Sequence, residues 1–252
     1  MKKTTSDVGL NRTGIQTSPI DSKEAIEGAK AGLPSSPGTE VGIAEVRIAY
    51  AQESDGLGSV PVPATLKGMF TTAKEMLKGT KPTVFIDKLG ERAGFERAGV
   101  RLYEAALSKF DVHGTWPGGP SREQLEKIMN EELAHYALVR YAIEKLGADP
   151  TALTPCADLI SVASKGLPAV LTDPRTNLIQ CLEALLMAEL TDNAGWELLI
   201  ELAHGLRQTE LANQFEQALA VEAEHLMLVR RWLTAGVAGE ARVEEPAGIP
   251  AP

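Results

Sequence analysis

The chain has 252 residues, 44% of them apolar and only 5% aromatic, and its formal net charge is −9. That suffices for one sizeable core with appendages, and the acidic balance argues against a nucleic-acid partner, which would need a basic face. Cys156 and Cys181 form no CxxC pair, which argues against a disulfide framework or a cysteine-ligated zinc or rubredoxin-type site, and no apolar run reaches transmembrane length.

Residues 1–80 are rich in Gly, Pro, Ser and Thr and read as a mostly irregular N-terminal arm. Short helical candidates lie at 43–52 and 66–77. The arm is either free or wrapped on the rest of the chain or on a partner subunit. The basic start Met1-Lys2-Lys3 is not followed by an apolar segment, so a cytoplasmic protein without a membrane span is expected.

From residue 83 the pattern turns helical, and four long helices are predicted within 83–234. The first covers about 83–110. The second opens with the capping box Ser121-Arg122-Glu123-Gln124 and stops at Gly147. The third opens with Asp173 as N-cap and Pro174 in the first helical position, and stops near Gly205. The fourth follows Thr209 and ends near Gly236. The joins within the first pair and within the second pair are short, so each pair should be an antiparallel hairpin. The join 148–172 is long and holds a helical stretch, 156–171, interrupted by Gly166 and Pro168. It can run back along the whole bundle. The predicted fold is therefore all-α, a four-helix bundle with a long crossover between helices 2 and 3. Residues 235–252 read as a C-terminal tail.

Each predicted helix carries an acid where its period demands an apolar residue. On the second helix Glu132 and His135 interrupt a stripe that includes Ile128 and Val139. On the fourth, Glu222 and His225 interrupt Leu219 and Val229. Glu96 stands at the centre of the first stripe, and Glu189 and Asp192 at the centre of the third. An unpaired buried carboxylate costs on the order of several kcal/mol, and a group of them repels. Arg92 is the inward cation the stripes offer, so metal ions are the natural counter-charge. The donors are oxygen-rich with two imidazoles, which suits iron or manganese better than a closed zinc site.

The pattern also repeats. Helices 2 and 4 both read Glu-x-x-His, while Glu96 and Glu189 are each followed by an aromatic at the seventh position, Tyr103 and Trp196. A pseudo-twofold pair of metals follows, with Glu132 and Glu222 bridging and Glu96 and Glu189 terminal. Asp192 stands where the first helix has Gly99, as an extra ligand or as an acceptor for a histidine N–H. Taken singly, each piece has a plainer reading. Either histidine alone reads as a core histidine, Glu96 alone as a partner of Arg92 or Arg101, and Tyr103 and Trp196 as core packing before residues that serve the site. Glu91, Glu104, Glu131, Glu183 and Glu224 fall off the inner stripes and read as solvated, with a supporting role as second choice for Glu131. His113 and His204 read as structural.

These residues resemble the ferritin-like di-iron carboxylate superfamily. The run Phe95-Glu96-Arg97-Ala98-Gly99-Val100-Arg101-Leu102-Tyr103 is similar to the first ligand helix of rubrerythrins, where the ligand Glu also precedes a Tyr by seven, and to the corresponding helix of demethoxyubiquinone hydroxylases. Asp192 looks like the additional acid of the rubrerythrin third helix, usually Glu there. The resemblance spans 83–234 and includes no rubredoxin-like domain, which leaves the electron donor open. It implies two iron ions, with manganese as the alternative, and Fe(II) reacting with dioxygen or peroxide in a ferroxidase or peroxidase-type oxidoreductase, for iron handling or protection from oxidative stress. No catalytic residue beyond the metal ligands is expected. The alternatives are a di-iron hydroxylase of an apolar substrate and a metal-binding structural or interaction protein without turnover. A homodimer or higher homo-oligomer is left open.

Overall fold

Eight helices and no strand make up the regular structure among the described residues, 19–32, 40–61 and 81–242, of the computed structural model. The chain divides into two compact units, Met1–Gly56 and Leu57–Pro252. No helix among the described residues is long and apolar enough to cross a membrane.

The first unit holds α1 (Pro19–Ala31) and α2 (Glu40–Glu53). The candidate at 43–52 lies inside α2; the candidate at 66–77 lies outside the described residues. Sequence periodicity gives no sign of α1, because it has no apolar stripe. Its signals are local: Pro19 in the first helical position, and Lys23 and Glu27 one turn apart, 3.9 Å from each other.

The second unit contains α3 (Pro82–His113), α4 (Arg122–Lys145), α5 (Pro155–Ala163), α6 (Gly166–Thr172), α7 (Leu178–Gly205) and α8 (Thr209–Ala241). Helix α3 packs on α4, α5, α6 and α7, while α8 packs on α7 and α4. The capping box of α4 forms as the sequence predicts: Gln124 N donates to Ser121 Oγ at 3.2 Å and Ser121 N donates to Gln124 Oε1 at 2.9 Å.

Helix α7 starts later than predicted. Asp173 does not cap it; its side chain accepts from Arg175 N at 2.9 Å and its carbonyl from Thr176 N at 3.2 Å, which closes a turn over Pro174. The cap is Asn177, in a second capping box with Gln180. Helix α8 runs past the predicted stop at Gly236, which is buried inside the helix: a Cβ there would meet Ile179 and the Trp116 ring at 2.9 Å. That glycine permits packing rather than ending the helix.

Two apolar layers form the interior. One contains Leu102 and Leu107 of α3, Leu125 and Ile128 of α4, Leu182 and Leu185 of α7, and Val229 and Trp232 of α8. The other contains Phe85 and Leu89 of α3, Val139 and Ile143 of α4, Trp196 and Leu199 of α7, and Leu211 and Phe215 of α8. Each side chain of this size contributes about 1.5–3 kcal/mol when fully buried. The predicted acids fall between the two layers on every one of these helices.

The cap assignment is testable. Asn177→Ala should cost about 1 kcal/mol and lower the melting temperature by about 2–4 °C, measured by circular dichroism. An unchanged melting temperature would return the cap to Asp173.

Candidate metal centre

Glu96, Glu132, His135, Glu189, Asp192, Glu222 and His225 are all buried, none more than 6% exposed. The structure gathers them into three overlapping groups whose ligand atoms lie within 4.8 Å of one another. One is Glu132, Glu189, Glu222 and His225; another is Glu96, His135 and Glu222; the third is Glu96, Glu132, Asp192 and Glu222. Glu222 belongs to all three, and Glu132 joins the α3 side to the α7 side.

The imidazoles turn the same atom inward. His225 Nδ1 lies 3.2 Å from Glu222, 3.5 Å from Glu132 and 4.0 Å from Glu189. His135 Nδ1 lies 3.9 Å from Glu96 and 2.5 Å from Glu222 Oε1. The opposite edge of His225 is held from outside, with Nε2 3.0 Å from Glu131. Glu131, read from the sequence as off-stripe, thus orients a candidate ligand, because the tautomer follows the hydrogen bond at the far nitrogen. Lys127 steadies it at 3.1 Å.

Asp192 stands in the third of these groups and also meets a partner that the sequence did not suggest. It accepts a hydrogen bond from Arg92, which also reaches the Asp192 carbonyl at 3.0 Å and lies 3.7 Å from Glu96. Arg92 is buried and stacks over Phe95, 4.6 Å from the ring centre. Tyr103 donates its hydroxyl to Glu189. Trp196 stands edge-on to His135 at 5.6 Å between ring centres, and its Nε1 has no hydrogen-bond partner. Asn193 ties α7 to α8 through the Glu189 and Glu222 carbonyls, at 3.0 and 3.1 Å. The space for Glu132 comes from Gly99, where any Cβ would collide with its carboxylate. His113 and His204 stay away from the cluster, and His204 meets Glu216 at 3.1 Å. Cys156 and Cys181 are free thiols.

Burial pushes Glu96 up to about 7 against the pull of Arg92, and pushes Glu189 to about 8 with help from Glu222. Burial also raises Glu132 well above the usual carboxylate range. It raises Tyr103 too, and the Glu189 carboxylate adds to that. Glu222 goes the other way: burial opposes ionisation, but His135 and His225 outweigh it and hold the group at about 2. His225 reaches about 11, because Glu132 and Glu222 overcome the burial penalty. Without metal, burial favours protons on Glu96, Glu132 and Glu189, whereas the two histidines favour the anion at Glu222.

Both oxygens of Glu96, one each of Glu132, Glu189 and Glu222, and His135 Nδ1 have no hydrogen-bond partner although buried. Water or protein normally satisfies such atoms. Clustered carboxylate oxygens and inward imidazole nitrogens are the donor set of a metal site, and these residues could hold a metal ion. The chain matches no family model, no curated protein and no solved structure.

The pKa shifts give a pH signature. An unfolded glutamate titrates near 4.3, so the folded form binds extra protons at Glu96 and Glu189 until about 7 and 8. Their stabilising contribution is complete below the unfolded value and is lost as pH rises through the folded one. His225 has the same sign between 6.5 and about 11. Glu222 has the opposite sign, and its contribution is lost only as pH falls toward about 2. The chelator-treated protein should therefore melt at least ~5 °C lower at alkaline than at mildly acidic pH, and divalent metal should remove most of that fall. A chelator-treated profile that is flat or rises toward alkaline pH contradicts this electrostatic account.

Proposed function

We propose that α3, α4, α7 and α8 form a ferritin-like four-helix bundle that holds two metal ions, iron foremost, and that the protein couples Fe(II) oxidation to reduction of dioxygen or peroxide. The observation that carries this is the cluster itself: donors from four helices, buried together, with unsatisfied oxygens facing one another.

The topology is supported by the order of the core layers along each helix. Helix α3 runs from the Phe85 layer to the Leu107 layer, and α4 runs back. Helix α7 then starts again in the Leu182 layer, where α4 started, and α8 returns. The segment between α4 and α7 must therefore recross the bundle, with α5 and α6 as its helical parts.

The charge count supports two divalent ions. Among the described residues five buried carboxylates, from Glu96, Glu132, Glu189, Asp192 and Glu222, face a single buried guanidinium, that of Arg92, which leaves four negative charges once all five acids are ionised and both histidines are neutral, as metal binding would require. Two divalent cations neutralise them. In this reading Glu96 and His135 would hold one ion and Glu189 and His225 the other, with Glu132 and Glu222 available to both. Glu222 suits the bridging role because it stands in both histidine-containing groups. Asp192, whose carboxylate also lies in a candidate ligand group, pairs with Arg92 and in this reading serves as its charge partner.

When bound, two Fe(II) ions supply one electron each, enough to take dioxygen to hydrogen peroxide or hydrogen peroxide to water. The chain supplies the surroundings. The apolar layers on either side exclude bulk water, which strengthens every charge interaction between them. Tyr103 pins one oxygen of Glu189, and Glu131 fixes the ring of His225. Carboxylates free of hydrogen bonds, Glu96 above all, keep the freedom to change their binding mode.

The test is anaerobic loading with Fe(II), followed by air and then peroxide, while the ultraviolet charge-transfer band is recorded. The expected result is uptake of about two ions per chain and oxidation faster than in buffer. Glu132→Ala should remove at least one ion, and unchanged stoichiometry would overturn the ligand assignment. Absence of uptake sinks the metal reading. Uptake without accelerated oxidation leaves the metal as a structural element.

A further inference from the structure

Arg97 and Arg101 of α3 and Lys165, between α5 and α6, line one cleft of about 460 Å³. None of the three forms an ion pair with an acid among the described residues. Elsewhere on this chain of net charge −9, exposed cations commonly meet acids, as Arg122 does with Glu126 at 2.9 Å and Lys145 with Glu210 at 2.6 Å. The cleft therefore concentrates unbalanced positive charge on an acidic protein.

Its floor has the opposite character. Phe95, Leu102 and Ile160 are buried beneath it, and Leu167 packs beside them. Gly94 and Ala98 keep the near wall low, because neither extends a long side chain into the space. A concave apolar floor under a rim of convergent cations is the makeup of a small-molecule site, and the volume falls within the ~300–1,000 Å³ usual for one. A flat acidic protein surface would leave the floor unfilled, and a nucleic acid would meet repulsion from the rest of the chain.

We propose that this cleft binds a small amphipathic anion, its carboxylate or phosphate head between Arg97, Arg101 and Lys165 and its apolar body on Phe95, Leu102, Ile160 and Leu167. The site is separate from the metal centre and does not depend on metal loading. One side chain links the two: Phe95 forms part of the cleft floor and carries Arg92 at 4.6 Å, and Arg92 in turn bonds Asp192. A bound chain would rest against the ring that supports the buried cation.

The full-length protein is titrated by calorimetry with octanoate, octyl phosphate, octyltrimethylammonium and inorganic phosphate. The expected result is saturable binding of at least one octyl anion, with the cationic analogue and inorganic phosphate each at least ~10-fold weaker. The preferred octyl anion assigns the head group to the carboxylate or the phosphate class. Arg101→Gln combined with Lys165→Gln should weaken that binding about tenfold or more with an unchanged melting temperature. Ala98→Leu, which raises the near wall and leaves the charge alone, should weaken it as well, and unchanged binding there also overturns the proposal. No saturable binding of either octyl anion overturns the proposal. So does binding that survives the double substitution, or inorganic phosphate binding as tightly as octyl phosphate. Failure of both octyl anions alongside binding of a glutamate-rich peptide makes the cleft a protein interface instead, and also overturns it.

Discussion

Carboxylates buried together constrain the rest of the second unit. A buried acid must be protonated, paired or bound to a cation, and here several acids meet where each could otherwise be an apolar side chain. Arg92 offsets one charge and commits itself to Asp192. The histidines stabilise Glu222 as an anion. What remains is a set of oxygens with no partner, which the fold keeps together against their mutual repulsion. The apolar layers on either side oppose that repulsion by burying large side chains above and below the polar stratum.

The supporting contacts follow from that constraint. Gly99 gives Glu132 the room it needs, and Asn193 locks α7 to α8 at the level of the two glutamates whose carbonyls it binds. Tyr103 and Trp196 occupy matching sequence positions but do different work. Tyr103 reaches across to a carboxylate, whereas Trp196 presses on an imidazole and offers no hydrogen bond. The helices between α4 and α7 cover the outer side of α3, and the cationic cleft opens where they meet it. On the proposed reading, one helix serves a metal centre on its inner face and an anion site on its outer face.

Much of this was legible because buried charge breaks a periodic pattern. Glu96, Glu132, His135, Glu189, Glu222 and His225 stood out as polar residues on apolar stripes, and the structure brings all six into one place. The capping box at Ser121 was legible because its four residues are contiguous. Features that depend on distant residues were not. Glu131 lies off the stripe of its own helix, and only the packing of α8 on α4 places His225 beside it. The pairing of Asp192 with Arg92 joins residues a hundred positions apart. Asp173 and Asn177 are both good caps, and what separates them is the turn over Pro174, to which Lys109 of α3 donates through the Asp173 and Thr176 carbonyls. Helix α1 was missed because it has no core-facing stripe to announce it.

On the proposed reading, two cations complete the charge balance of this cluster. Anomalous diffraction at the iron edge, from crystals of the full-length protein grown with Fe(II), tests it most directly. Two peaks are expected inside the ring of Glu96, Glu132, His135, Glu189, Glu222 and His225, with Glu222 adjacent to both. No peak in that ring, or a single ion bound by Asp192 with the Arg92 pair broken, would contradict it.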